Sequence, residues 1–219
     1  MVRLENVSKI YRTKHGEVKA LDKVSLQVKE GEFVVIRGPS GSGKTTLLLS
    51  IGGMLHPTEG QVIANKSNVY ALSKQERSIF RAVNIGFVFQ LYHLVPYLNI
   101  IENVLLPAGV GKGQYKRADA KELLKRLNLA ERMYHKPSEL SAGEKQRTAI
   151  ARAMLKYPKI ILADEPTGNL DPENSERIIG HLAEFHRSGR TVIIVTHGMS
   201  PDQYADRIIH LKNGQIEKL

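Results

Sequence analysis

Residues 32–51 read EFVVIRGPSGSGKTTLLLSI, and three textures follow one another within them. The apolar run ending at Ile36 has the length and the Val and Ile content of a strand buried on both faces. Gly38 to Thr45, GPSGSGKT, matches the pattern G-x-x-x-x-G-K-[ST], and the residues after Lys44 read as a helix. Strand, glycine-rich loop and helix form the arrangement in which backbone N–H groups turn towards phosphates and the helix N-terminus adds a favourable dipole. Lys44 then reaches the β- and γ-phosphates of a nucleotide, and Thr45 ligates Mg²⁺. The candidate cradle is Gly38, Pro39, Ser40, Gly41, Ser42, Gly43, Lys44, Thr45 and Thr46. A chance match of this length in such a chain is expected about one time in a hundred. The strand before it and the helix after it make chance a poorer explanation still.

Two more runs, KIILADE and TVIIVTH, repeat the first run's texture, and helical periodicity fills the spaces between them. RADAKELLKRL places Ala120, Leu123, Leu124 and Leu127 on one side. ENSERIIGHLAEFHRSG turns Ile178, Ile179, Leu182 and Phe185 inward and stops at Gly189. The alternation predicts an α/β fold with a mainly parallel sheet flanked by helices. VRLENVSKIY, KVSLQV and GQVIA are only half apolar and predict an N-terminal antiparallel β sub-domain. RIIHLKNGQIEKL predicts a hairpin turning at Asn213-Gly214. Helical pattern dominates from about 91 to 158 and interrupts the strands. The expected organisation is one domain over 1–219, with its core in 1–90 and 159–219 and an inserted helical sub-domain at about 91–158.

Composition excludes several classes. The 219 residues contain no cysteine, which removes disulfides, thiolate zinc sites and cysteine nucleophiles. The first residues, MVRLENVSKIYRTKHG, lack the apolar core of a secretory signal, so the mature chain is expected to begin near Met1. The most apolar stretches fall well short of the roughly 20 residues that cross a bilayer. Thirty-two Lys and Arg against 22 Asp and Glu give a formal net charge of +10. Such a balance suits nucleic acid, anionic lipid or nucleotide phosphates, or is simply solvated surface.

A phosphate loop that uses Mg²⁺ calls for an acid at the end of a neighbouring strand. Asp164, closing IILAD, is in that position. Glu165 follows it, where a carboxylate can orient the attacking water, and is the candidate catalytic base. His197 ends TVIIVTH, from where an imidazole can reach the γ-phosphate or the base, and where a purely structural histidine also sits. The guanine-reading pattern Asn-Lys-x-Asp is approached only by NKSN at 65–68, with Asn68 in place of the acid, which disfavours guanine. Tyr11 can stack on adenine or can be packing. Finally, LSAGEKQR at 140–147 holds Ser141 and Glu144 in the spacing of a capping box. That marks a helix start, and leaves open whether the exposed amides there also receive a phosphate.

Taken in order, Tyr11, the loop Gly38 to Thr45, Gln90 in FVFQ, LSAGEKQR, IILADE, GNLD ending at Asp171, and His197 resemble the ATP-binding subunits of ABC transporters over essentially the whole chain. The resemblance implies a P-loop NTPase of ABC type. It assigns Gln90 to the metal and the attacking water, and makes the loop after it the sensor of a membrane partner. It implies composite sites in a head-to-tail dimer, each ATP lying between one phosphate loop and the other subunit's Ser141, Ala142, Gly143 and Glu144. Ser141 and Gly143 would contact the γ-phosphate, Asp171 would lie at the subunit boundary, and Glu165, His197 and Gln90 would be catalytic. HLVPYLNIIENVLLP and DEPTGNLD look most like the branch serving lipoprotein release and macrolide or antimicrobial-peptide export. Two departures are Ala142, where the signature more often has glycine, and Gly198, where members often carry an acid.

The expectation is therefore a cytoplasmic ATPase, peripheral on the inner face of the cell membrane. It binds ATP and Mg²⁺, pairs as a homodimer on ATP binding and drives separately encoded integral-membrane permease subunits. The surface near Tyr92, Leu94 and Tyr97 is the candidate permease contact, or else core packing. The alternatives are a soluble ABC-type ATPase acting on nucleic acid, although no nucleic acid is expected, and a nucleotide-binding module that does not hydrolyse.

Overall fold

Unbroken burial along three neighbouring strands sets the architecture, as the computed structural model of the protein shows for residues 1–14, 16–110 and 115–217. Residues 111–114 of the helical stretch and 218–219 of the C-terminal stretch lie outside the described residues. The chain opens with β1 (Val2–Thr13) and β2 (Gly16–Val28), a long antiparallel pair. It then enters β3 (Phe33–Arg37), the phosphate loop and helix α1 (Lys44–Ile51). β4 (Glu59–Ala64) and β5 (Ser67–Asn68) return to the first sheet. Helix α2 (Lys74–Asn84) follows, started by a Ser73–Glu76 capping box that the sequence reading passed over. Then come β6 (Ile85–Val88), α3 (Ile100–Leu105), α4 (Arg117–Arg126), α5 (Ala142–Met154), β7 (Ile160–Asp164), α6 (Pro172–Arg187), β8 (Thr191–Thr196), β9 (Arg207–Lys212) and β10 (Gln215–Ile216).

Among the described residues β2-β1-β4-β5 form an antiparallel sheet, and β10-β9-β3-β8-β7-β6 form the second. In the latter, β9, β3, β8, β7 and β6 are parallel, and β10 pairs antiparallel with β9 across Asn213-Gly214. Both turn residues have positive φ, 49° and 75°, as a two-residue hairpin requires.

Phe33 and Val35 of β3, Ile161 and Ala163 of β7, and Val192 and Ile194 of β8 point to one face, where they meet α3, α4, α5 and α6. Val34 and Ile36, Ile160 and Leu162, and Ile193 and Val195 point to the other, where they meet α1, Phe80 of α2 and the antiparallel sheet. With period-2 side chains, a strand apolar throughout must be covered on both faces, and here helices cover one and a helix plus a sheet the other. The phosphate loop sits where β3 ends and α1 begins, and β7 and β8 end at the same edge, carrying Asp164 and Thr196.

Candidate active site at the ends of three parallel strands

Glycine makes the loop's shape possible. Gly41 and Gly43 have φ of 77° and 101°, the left-handed region where a Cβ is strained. A Cβ on Gly43 would also stand 2.1 Å from the Ala20 carbonyl oxygen of β2, and one on Gly38 would stand 2.1 Å from that of Leu211 in β9. The loop is thus pressed between the antiparallel sheet and β9. Lys44, at the first position of α1, donates through Nζ to the Gly38 and Pro39 carbonyls at 2.7 and 3.0 Å. Ser42 Oγ is buried within the loop without a hydrogen-bond partner among the described residues, 2.6 Å from where a Cβ on Gly38 would stand.

The strand ends bring the other groups to this loop. Thr45 Oγ1 donates to Asp164 Oδ1 at 3.1 Å, so the hydroxyl and the acid expected to share a cation already touch. Burial pushes the Asp164 carboxyl above its ordinary range; the Thr45 bond and Lys44 oppose this, and Glu165 adds to it. Two hard oxygen donors side by side suit Mg²⁺.

Glu165 takes a backbone that sequence does not reveal. Its φ is 45°, a conformation that costs a non-glycine residue about 1–3 kcal/mol and clusters at functional sites. Its N–H still donates to the Val195 carbonyl at 2.9 Å, continuing the β7–β8 ladder while the side chain turns aside. Thr196 Oγ1 and the His197 amide donate to Oε2 at 2.9 and 3.3 Å, and His197 Nδ1 lies 3.0 Å from Oε1. Lys44 Nζ is 3.8 Å from Oε1.

A cleft of about 610 Å³ is lined by Ala20, Ser40 to Thr46, Gln90, Glu165 and His197. Gly38, Pro39 and Asp164 support it from behind through Lys44 and Thr45. Tyr11 is not on its wall: it pairs with Val18 in the first hairpin, is 40% exposed, and lies beneath the Lys9 ammonium. Ser141, Ala142, Gly143, Glu144 and Asp171 also stand outside the cleft. Ser141 Oγ accepts from the Glu144 amide and Glu144 Oε2 accepts from the Ser141 amide, the capping box read from sequence. Asp171 caps α6 by accepting from the amide and side chain of Asn174 at 2.9 and 2.7 Å. A Cβ on Gly143 would meet Asn174 Oδ1 at 2.6 Å, so Asn174 links the signature to Asp171.

Sequence reasoning did not single out Ala20, Thr196 or Asn174. Thr196 lay within the quoted TVIIVTH, next to the chosen histidine. Ala20 reaches the cleft through the approach of two sheets, and no local pattern marks it.

These features define a P-loop nucleotide-binding protein with an acid and a carboxylate–histidine pair at the phosphate end of its sheet. Residues 21–168 match the family described as ABC transporter, and the chain belongs to that family as one of its ATP-binding, ATP-hydrolysing domains. It is 45% identical to the uncharacterized ABC transporter ATP-binding protein MJ0796 of Methanocaldococcus jannaschii, over 100% of this chain and 96% of that protein. A solved dimer of MJ0796, described as a post-hydrolysis state bound to ADP and Pi, superposes with a TM-score of 0.94 at 43% identity, covering 100% of this chain and 97% of that one. The lipoprotein-releasing system ATP-binding protein LolD of Bacteroides thetaiotaomicron is 41% identical with full coverage of both chains. The macrolide export ATP-binding/permease protein MacB of Chlorobaculum tepidum is 44% identical over 99% of this chain, which spans 33% of MacB.

Proposed function

We propose that the chain binds Mg·ATP in the cleft, closes head to tail with a second copy, hydrolyses ATP in two composite sites and so drives a membrane permease. One observation carries this reading: phosphate loop, Glu165 and His197 line one cleft, with Asp164 bonded to Thr45 behind it, while Ser141 to Glu144 stand outside it. A signature that is part of the site but absent from its own cleft is supplied by a partner. Ser141 and Gly143 at the start of α5 then contact the γ-phosphate, and Asp171 lies at the boundary. Tyr11 stacks on the adenine from the edge of the first hairpin.

Thr45 and Asp164, with Gln90, would hold Mg²⁺, which when bound supplies charge stabilisation to the phosphates. Glu165 accepts a hydrogen bond from the attacking water, and Thr196, His197 and Lys44 fix its carboxylate for that task. His197 reaches the γ-phosphate, and Lys44 releases the Gly38 and Pro39 carbonyls to meet it. Most of the work is positioning and charge stabilisation, as in other phosphoryl transfers.

The permease contact is the loop after Gln90 and the groove beside it. Leu91 and Tyr97 are 68% and 77% exposed, and Tyr92 and Leu94 are half-buried. A groove of about 400 Å³ lies alongside, with Met54, Phe87, Phe89, Pro107 and Val110 on its apolar wall. The helical stretch at about 91–158 carries both this loop and the signature, and acts as the lobe that couples them. Among the described residues no helix is long and apolar enough to cross a membrane. On its likeness to LolD, an ATP-binding protein that it matches over the full length of both chains, we assign the permease to separate polypeptides and the chain to the inner membrane face. The names of LolD and MacB support an export or envelope task. They offer nothing to the nucleic-acid alternative.

Glu165→Gln tests the reading. The variant should bind ATP, lose hydrolysis and accumulate an ATP-dependent dimer on size-exclusion chromatography; turnover at the wild-type rate would remove Glu165 from its role. Purification from native membranes should recover a permease.

A further inference from the structure

Arg37 is the last residue of β3 and the residue before the phosphate loop. In the parallel register it lies beside Thr196 of β8, so its side chain runs towards the segment after His197. There Nη2 donates to the Gly198 carbonyl at 2.8 Å and to Asp202 Oδ1 at 2.7 Å. The side chain is only 15% exposed, and its Nε is buried with no partner among the described residues. A guanidinium buried with one donor idle is unfavourable, and the contacts made by Nη2 are what offset it.

Those contacts lead to the hydrolytic pair. The Gly198 amide donates to Thr196 Oγ1 at 3.0 Å, and that hydroxyl donates to Glu165 Oε2 at 2.9 Å. The His197 side chain is 70% exposed, and its imidazole has a single hydrogen-bond contact among the described residues, to Glu165. A glycine follows it, so no side chain at 198 steadies it. Without the Arg37 bonds the stretch from Gly198 to Asp202 would be held to the sheet, among the described residues, only at its two ends, by Thr196 and by the bonds between Asp206 and Phe33.

We infer that Arg37, with Asp202, is a positioning residue for His197: it ties the segment behind the histidine to the strand that launches the phosphate loop. Loop and histidine are thereby held in one geometry while the nucleotide reacts. The inference rests on the reading of Glu165 and His197 as the hydrolytic pair.

The test is Mg·ATP hydrolysis by Arg37→Met and Asp202→Ala, with melting temperatures recorded. Arg37→Met should lower kcat by about tenfold, the scale on which small misplacements act, with KM within about twofold of wild type. Asp202→Ala should lower kcat by about threefold, since the Gly198 bond remains. In a His197→Ala background, measured by single turnover, neither substitution should lower the rate further. If Arg37→Met does not fold, Asp202→Ala on the outer segment carries the same comparison. Unchanged kcat, a parallel rise in KM, or an equal loss in the His197→Ala background would overturn the inference. A wild-type protein without ATPase activity, or an active Glu165→Gln variant, would instead overturn the reading beneath it.

Discussion

His197 Nδ1 stands 3.0 Å from Oε1 of Glu165, and the same carboxylate receives the His197 backbone amide at its other oxygen. One residue thus holds the carboxylate by both its side chain and its main chain. The backbone bond and the Thr196 hydroxyl orient Oε2, leaving the imidazole's far side free to face the cleft. His197→Ala keeps the backbone bond and loses the imidazole. Turnover should fall by about 10²-fold or more, in the range for a positioned acid–base group, while ATP binding, measured by fluorescent-nucleotide displacement, stays close to wild type.

Gly43→Ala should fail differently. Its φ of 101° strains any other residue, and the added methyl has the Ala20 carbonyl 2.1 Å away. Left-handed backbone costs about 1–2 kcal/mol, and overpacking about 1–3 kcal/mol more. Thermal denaturation should show a drop in stability of this size, and nucleotide binding should be lost with it. Gly180→Ala is the control: it lies within α6, and a Cβ there meets nothing within 4 Å.

Glu144 makes stability depend on pH. Burial opposes its charge, but the amide and hydroxyl of Ser141, together with Arg132 and Arg147, outweigh that and hold its carboxyl below the usual range. A depressed folded pKa gives stability that is present above the unfolded value and is lost as pH falls through the folded one. Glu144→Gln should therefore be less stable than wild type at pH 7, by about 0.3–1 kcal/mol for a charge at a helix N-terminus. The difference should shrink as pH falls below the ordinary glutamate range, followed by urea denaturation across pH.

Much of this was legible because it is local. An apolar strand, a glycine pattern and a capping box each declare themselves within a few residues, which is why β3, α1 and the start of α5 were read correctly. The doubly buried runs at β7 and β8 announced the parallel sheet for the same reason. What stayed hidden depends on residues far apart in sequence. Glu165 was legible as the candidate base from its place after Asp164, but not its positive φ, which goes with β8 pairing with its amide while Thr196 and His197 take its carboxylate. Nothing local marks Asn174, yet it closes the gap between Gly143 and Asp171. The α2 helix was missed although Ser73 and Glu76 form the same box that marked α5; its mostly polar sequence lacked the apolar run that drew attention elsewhere.

The signature allows a test that separates folding from chemistry. Ala142 is exposed at the first position of α5, with its methyl outside the core, whereas Gly143 beside it is buried with Asn174 against it. Ala142→Gly exchanges a good helix former for a poor one in a first turn, and should cost at most about 1 kcal/mol. If Ala142 faces ATP across the dimer, that variant should change the ATPase rate at nearly constant melting temperature. Gly143→Ala should lower the melting temperature and weaken the dimer together: the new methyl displaces Asn174, which is bonded to Asp171 and lies 3.3 Å from Arg147 Nη1. The α6 cap is then weakened, at about 0.5–2 kcal/mol, and Asp171 is moved from the boundary where the second copy would meet it. ATP-dependent dimerisation in the Glu165→Gln background should fall for Gly143→Ala and persist for Ala142→Gly. Dimers of equal stability in both would place the signature away from the subunit contact and remove the composite-site reading.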